Sequence, residues 1–234
     1  MILAILQSRM ASQRLPGKAL ASLAGQPMVL RQIERLRAAR TLARVVVATS
    51  VEAADDPLAA FLVSRGQAVF RGGPVDLLGR FARCAEAAGG TSHVVRIKGD
   101  APFVDPAIVD RAVRIAQDSG ADYVHNRGWF GFPRGLEVEV IRTPVLIAAA
   151  QAPRDPLART SPTAFLRADP ARHPQASFAA PRDLSALDWR VKTHADLAFA
   201  RSVYAALHAA DPAFAMRDVL DLIGGRQDMA KYAA

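Results

Sequence analysis

Short apolar runs alternate with stretches of helical period through the first half of the chain, and this alternation limits the fold more than any other feature. Ile2–Leu6 is a continuous apolar run, as a strand buried on both faces requires. Pro27–Arg40 carries Val29, Leu30, Ile33 and Leu36 at helical spacing with charges between them. Arg44–Thr49 is a β-branched strand. Asp55–Arg65 reads as a helix with Asp55 or Asp56 at its start and Pro57 in its first turn, and Gln67–Arg71 as a short strand. Pro74–Ala88 is helical, His93–Ile97 is a strand ending in Lys98-Gly99-Asp100, Pro106–Ser119 is helical, and Asp122–His125 starts another strand. Strands joined through helices by short connections lie parallel, with right-handed crossovers, in an open α/β sheet covered on both faces. Ligands of such sheets sit beyond the carboxyl ends of the strands. Function is therefore expected in Gln7–Lys18, Ser50–Asp55, Arg71–Asp76 and Lys98–Asp105.

The rhythm changes after residue 127. Gly128–Gly135 is a loop containing Trp129, Phe130 and Phe132, which either stack on a ligand or pack in the core or at a dimer contact. Leu136–Ile141 alternates like a strand, Pro144–Gln151 and Ser161–Leu166 suggest short helices, and the prolines of Ala152–Pro181 argue for irregular connections. Leu187–Val191 reads as a strand, and His194–Ala209 and Ala215–Leu222 as helices. A length of 234 residues fits one domain with an appended lobe. The expected division is a core over 1–127, a small lobe or flap over 128–190 at the sheet edge, and C-terminal helices over 191–234.

A hydrophobic content of 51% with 22% charged residues supports a packed core and excludes wholesale disorder. The net charge of +8 favours anionic partners, although part of it is arginine scattered over helix faces. Cys84, the single cysteine, permits neither an intrachain disulfide nor a cysteine-based zinc site, and suits a reducing compartment. The apolar stretch Met1–Leu6 is too short for a signal-peptide core, and no run reaches the length of a membrane span. The expectation is a cytoplasmic protein with no membrane association.

Gln7-Ser8-Arg9-Met10-Ala11-Ser12-Gln13-Arg14-Leu15-Pro16-Gly17-Lys18 follows the first strand directly. Arg9, Arg14 and Lys18 fall within this one loop, with Ser12, Pro16 and Gly17 as turn formers. A triphosphate is a dense polyanion and needs several donors converging from a stiff loop; Arg forks match its non-bridging oxygens and Lys acts as a point charge. The loop lacks the P-loop pattern. The alternative is a basic surface turn.

The string SRMASQRLPGKAL resembles the signature of sugar-activating cytidylyltransferases, nearest to the spore-coat polysaccharide type and related to CMP-KDO and CMP-acylneuraminate synthetases. The resemblance continues through VVVATS at 45–50, DDP at 55–57, VFRGGPVDLLGRF at 69–81, VVRIKGDAPFVDPAIVDR at 94–111, ADYVHN at 121–126, FPRGLEVEVI at 132–141 and LDWRVKTHADLAFAR at 187–201. It implies a Rossmann-like nucleotidyltransferase fold. It also implies transfer of CMP from CTP to a sugar or sugar-acid acceptor, with pyrophosphate released, for surface polysaccharide or glycan biosynthesis. Gln7, Ser8, Arg9, Ser12, Arg14 and Lys18 would then hold the nucleotide, with Arg14 and Lys18 also catalytic. Asp76 and Arg80, at i and i+4, would line the nucleotide site or else form an ordinary surface ion pair. Arg134 and Glu137 would face the acceptor, and homodimerisation is implied by the family alone.

Asp100 matches the family's metal-binding aspartate, a carboxylate suited to Mg²⁺, or else is a turn aspartate before Pro102. The family's second metal aspartate, in a pattern like Val-Asp-x-Pro-x-Asp-Leu, aligns with Lys192. A charged lysine cannot ligate Mg²⁺. Either Lys192 takes over charge neutralisation at the phosphates as a catalytic residue, with a weakened Mg²⁺ site, or the protein binds a nucleotide or partner without turnover. Asp196 reads as a helix N-terminal residue rather than a replacement ligand. Arg134 stands where the family has an acidic residue, and Arg159-Thr160-Ser161-Pro162-Thr163 stands for Arg-Glu-His-Val-Thr; both bear on the acceptor. Arg134 either selects an acidic acceptor or is an exposed loop cation. The five histidines show no metal-ligand spacing, no Ser/His/Asp arrangement is visible, and no aromatic-interleaved basic stripe points to nucleic acid.

Overall fold

A computed structural model of the chain describes residues 1–128 and 131–225. Its strands are β1 (Ile2–Gln7), β2 (Ser22–Leu23), β3 (Gln26–Pro27), β4 (Arg44–Ser50), β5 (Val69–Gly72), β6 (His93–Lys98), β7 (Tyr123–His125), β8 (Glu139–Arg142) and β9 (Gln175–Ser177). Its helices are α1 (Met28–Arg37), α2 (Asp56–Ser64), α3 (Leu77–Ala88), α4 (Pro106–Ser119), α5 (Thr143–Gln151), α6 (Ala164–Ala168), α7 (His194–Leu207) and α8 (Met216–Gly224). Seven strands form one sheet in the order β5-β4-β1-β6-β8-β7-β9, and β2 and β3 pair in a small separate hairpin. All pairs of the large sheet are parallel except the two made by β8, which runs antiparallel between β6 and β7.

The continuous apolar character of β1 has a direct cause. Ile2, Ala4 and Leu6 enter the core layer shared with α1, α2, α4, α7 and α8, while Leu3 and Ile5 enter the layer shared with α3, α5 and α6. Helices thus cover both faces of a mostly parallel open sheet, the Rossmann-like nucleotidyltransferase architecture. The chain runs from β1 outward to β4 and β5, then returns to β6 on the other side of β1. That reversal opens a crevice at the carboxyl ends of β1 and β6.

Local chemistry accounts for element boundaries. Asp105 caps α4 by accepting from Ala107 N at 2.8 Å and Ile108 N at 3.3 Å, Pro106 occupies the first turn, and Gly120 ends the helix at φ 63°. The expected strand over Leu136–Ile141 begins only at Glu139, because Asn126 holds the preceding turn through Leu136 O and Val138 N, both at 2.8 Å. Leu187–Val191 is not a strand: its one ladder contact is an isolated bridge between Asp188 and Arg134. β9 lies within the proline-rich stretch expected to be irregular and pairs with β7. Arg35 is 1% exposed and ties the α7–α8 connection to the core, donating to Val104 O at 2.8 Å, Pro212 O at 3.1 Å and Phe214 O at 2.5 Å. Among the described residues, no helix is long and apolar enough to cross a membrane.

Candidate active site

The crevice at β1 and β6 holds an open cavity of about 670 Å³. Gln7, Ser8, Arg9, Ser12, Arg14 and Lys18 line one wall, and Arg96, Lys98, Gly99 and Asp100 the other. The first wall is the basic loop, and its shape comes from the backbone of one residue, Met10. Met10 O accepts from Ser12 N at 3.0 Å and Gly17 N at 2.9 Å, while Met10 N donates to Asp55 Oδ1 at 2.6 Å. Gly17 takes φ 74°, a left-handed conformation that closes the turn and returns Lys18 to the cavity. Arg9 donates to Pro74 O at 3.3 Å, whereas Arg14 is exposed.

The second wall approaches very closely. Gly99 N donates to Gln7 O at 2.7 Å, and a Cβ on Gly99 would lie 2.5 Å from that oxygen. Asp100 Oδ1 is buried with no hydrogen-bond partner. Lys18 Nζ donates to Val191 O at 2.7 Å and Val191 N to Asp100 O at 2.8 Å, so the late segment closes this end. Burial, with Arg14 and Arg190 nearby, lowers the Lys18 pKa, and the Asp100 charge opposes the shift.

Arg96, which lines the cavity, and Glu139, which pairs with it, are absent from the candidates drawn from sequence. Arg96 is 9% exposed, donates to Glu139 Oε2 at 2.5 Å and reaches Gln7 Oε1 at 3.5 Å, and its Nε is unpartnered. Glu139 also accepts from the Tyr123 hydroxyl and from Thr163 Oγ1 at 2.9 Å, with Arg167 at 3.4 Å and Arg127 at 3.8 Å. Burial pushes the Glu139 carboxyl up, but the charge of Arg96 and these partners outweigh it and bring it to about 2. The available signal was a charge inside an apolar strand: Arg96 in VVRIK and Glu139 in LEVEVI.

Other candidates lie outside the cavity lining. Asp76 does not pair with Arg80; it caps α3 through Gly79 N at 2.8 Å and binds Arg159 at 2.8 Å. Arg80 is fully buried and donates to Gly73 O and Pro74 O, supporting from behind the carbonyl that Arg9 reaches. Arg134 is exposed, and its backbone pairs with Leu187 and Trp189. Glu137 accepts from Gly135 N at 2.7 Å. Lys192 Nζ binds Asp188 Oδ2 at 2.6 Å, and Arg190 binds the same oxygen at 2.6 Å. Burial raises the Asp188 carboxyl, but these hydrogen bonds win and hold it well below the usual carboxylate range. Asp196 forms a capping box with Thr193 at the start of α7. Phe132 is buried in the core against Phe178, at 5.7 Å between ring centroids; Trp129 and Phe130 lie outside the described residues. Among the described residues there is no group of three or more His, Cys, Asp or Glu placed to hold a metal ion.

Comparison with known proteins identifies the family. The family model described as Cytidylyltransferase matches residues 3–184. The spore coat polysaccharide biosynthesis protein SpsF of Bacillus subtilis is 33% identical over 196 residues, covering 81% of this chain and 80% of that protein. The 3-deoxy-manno-octulosonate cytidylyltransferase of Geobacter sulfurreducens is 41% identical over 119 residues, 48% of this chain and 44% of that protein. A cytidylyltransferase structure from Leptospira borgpetersenii superposes with a TM-score of 0.88 at 23% identity, covering 100% of this chain and 98% of that one. The match along the chain, and the basic loop facing Asp100 at the sheet crevice, make it a nucleotidyltransferase that belongs to the cytidylyltransferase family, of the spore-coat polysaccharide type.

Proposed function

We propose that this enzyme transfers CMP from CTP to a hydroxyl of a sugar or sugar-acid acceptor, for surface polysaccharide or glycan biosynthesis. The observation that carries the reading is the cavity in which Arg9, Arg14 and Lys18 face Asp100 across the crevice. The acceptor oxygen attacks the α-phosphorus and loses its proton, the bond to the bridging oxygen breaks, and pyrophosphate leaves with the bonding electrons. Arg14 and Lys18 stabilise the charge that grows on the phosphates. Gln7, Ser8 and Ser12 line the same cavity and would hold the nucleotide with them.

The unpartnered, buried Oδ1 of Asp100 fits one contact to a divalent cation. Mg²⁺ is held by one or two carboxylates together with substrate phosphates and water. When bound, it would supply further positive charge at the phosphates. A second carboxylate is not added by Lys192, whose ammonium is engaged by Asp188. The same feature supports a second reading, a homologue that binds nucleotide without turnover. The reading also takes the protein to be a cytoplasmic homodimer, testable by light scattering and fractionation.

Pyrophosphate release in the presence of CTP and a panel of sugar acids tests the first reading. Calorimetric titration with CTP, ATP, GTP and UTP, with and without Mg²⁺, tests the second. Selective CTP binding without turnover of any acceptor would favour the second reading, and binding of no nucleotide would sink both.

A further inference from the structure

We infer that Asp55 is a positioning residue for the nucleotide loop, its buried carboxylate fixing the Arg9–Met10 peptide and with it the Met10 backbone, and so the placement of Arg9 and Arg14. The inference rests on the proposed nucleotide role of the loop, but its geometric content can be tested separately.

An aspartate immediately before a helix ordinarily caps it by accepting from the first-turn N–H groups. Asp55 stands directly before α2, yet its side chain makes no cap bond there. It is 0% exposed, and both oxygens are directed away from its own helix. Oδ1 accepts from Met10 N at 2.6 Å, and Oδ2 accepts from Ser50 N at 3.2 Å and from the Ser50 hydroxyl. One carboxylate therefore joins the end of β4 to the middle of the basic loop, across 45 positions of chain. Burial raises its pKa, but the bonds from Ser50 and Met10 outweigh this and keep it lowered.

The bond to Met10 matters because the other side of that residue organises the loop. Its carbonyl accepts from both Ser12 and Gly17. Arg9 precedes this hub, and Arg14 lies between its two donors in the chain. Two independent braces hold the loop ends: Ser8 N donates to Ala48 O at 3.2 Å, and Lys18 Nζ to Val191 O. Among the described residues, Asp55 alone bonds the backbone of Met10 through its side chain. If that bond is lost, the Arg9–Met10 peptide can rotate, and the backbone of Met10 that aims the hub carbonyl is no longer fixed from that side. A carboxylate also suits the position electrostatically, since the loop concentrates cations and the buried guanidinium of Arg80 lies within its field.

The test compares Asp55→Ala and Asp55→Asn with Asp110→Asn as a control. Asp110 is similarly buried and holds the backbone of Arg40 and Thr41, away from the cavity. Calorimetry with CTP and with inorganic tripolyphosphate, well below each melting midpoint, reads affinity; hydrogen exchange at the Met10, Ser12 and Gly17 amides reads the loop. Asp55→Ala should weaken both ligands about tenfold, the scale of one lost bond to a charged acceptor, and speed exchange at all three amides. Asp55→Asn, whose amide oxygen can still accept from Met10, should recover part of both. Asp110→Asn should lower the midpoint and leave affinity and loop exchange unchanged. Exchange at the three amides in Asp55→Ala equal to that of the natural protein, or matched by Asp110→Asn, overturns the inference. If the natural protein binds neither ligand, the proposed function fails, and exchange still decides whether Asp55 sets the loop. If Asp55→Ala does not fold, Asp55→Asn carries the comparison, with faster loop exchange expected and unchanged exchange overturning.

Discussion

The ammonium of Lys18 donates to the carbonyl of Val191 at 2.7 Å, across 173 positions of sequence. One donor of this loop cation is thus committed to the protein, leaving two for a phosphate. Arg14 is exposed and its side chain bonds to none of the described residues, so it has no such structural duty. Arg14→Ala should weaken CTP binding by about 10- to 100-fold, as expected for charge-assisted bonds, with the melting midpoint unchanged. Lys18→Met should weaken binding to a similar degree and also lower the midpoint, because the Val191 carbonyl loses its partner. Calorimetry and thermal melting on the two variants separate these effects; equal midpoints would contradict the role given to Lys18.

Asp188 receives both Arg190 and Lys192 at 2.6 Å. Part-exposed pairs of this kind contribute about 0–1 kcal/mol, so Lys192 can be replaced at small cost in stability. Lys192→Asp should lower the Mg²⁺ concentration required for half-maximal CTP binding or turnover and leave the fold intact. A Mg²⁺ titration that superposes on that of the natural protein would show that residue 192 does not bear on the cation.

Glu139 has a folded-state pKa of about 2 against an ordinary 4.5. A depressed carboxylate contributes stability above its unfolded value and loses it as pH falls through the folded one. The contribution, on the order of 3 kcal/mol, should be present above about pH 4.5 and disappear toward about pH 2. Glu139→Gln leaves Arg96 buried without its counter-charge, so the variant should be less stable at neutral pH. Its urea midpoint should also fall less steeply across that acid window. Parallel pH profiles for the two proteins would rule the linkage out.

Gly99 leaves no room for a methyl group against Gln7 O and Ser8 Cα, which a Cβ would meet at 2.5 and 3.0 Å. Gly99→Ala should cost about 1–3 kcal/mol and displace the first residues of the loop. Melting and CTP titration should change together, and an unaltered affinity in a folded variant would show that the close approach is not needed for the cavity.

Most of the parallel half was legible because each element there declares its own period: VVVAT can only be a buried strand, and Pro106–Ser119 carries its own cap and stop. β9 was hidden because its three residues, Gln175, Ala176 and Ser177, are all at least partly exposed on a sheet edge and show no apolar signal. Leu187–Val191 looks like a strand for the opposite reason: Leu187, Trp189 and Val191 alternate inward, but the loop at Arg134 supplies only one bridge. In the site, the basic loop and Asp100 stand in local patterns. The partner of Asp76 does not, since Arg159 arrives from 83 positions away and local spacing suggested Arg80 instead. Asp55 was legible as a helix-start residue and not as a loop anchor, because nothing near it in sequence names Met10.

The buried guanidinium of Arg35 has a consequence for the birth of the protein. Arg35 leaves the ribosome well before the carbonyls that receive it, since Pro212 and Phe214 follow it by 177 and 179 positions. The same holds for Lys18, whose carbonyl partner at Val191 is also made well after it. A nascent chain stalled after β6 therefore has its basic loop and sheet centre but lacks the acceptors for two inward cations. The cavity wall at Lys18 therefore reaches its final form only once Val191 has been made, 173 positions after the cation that it holds.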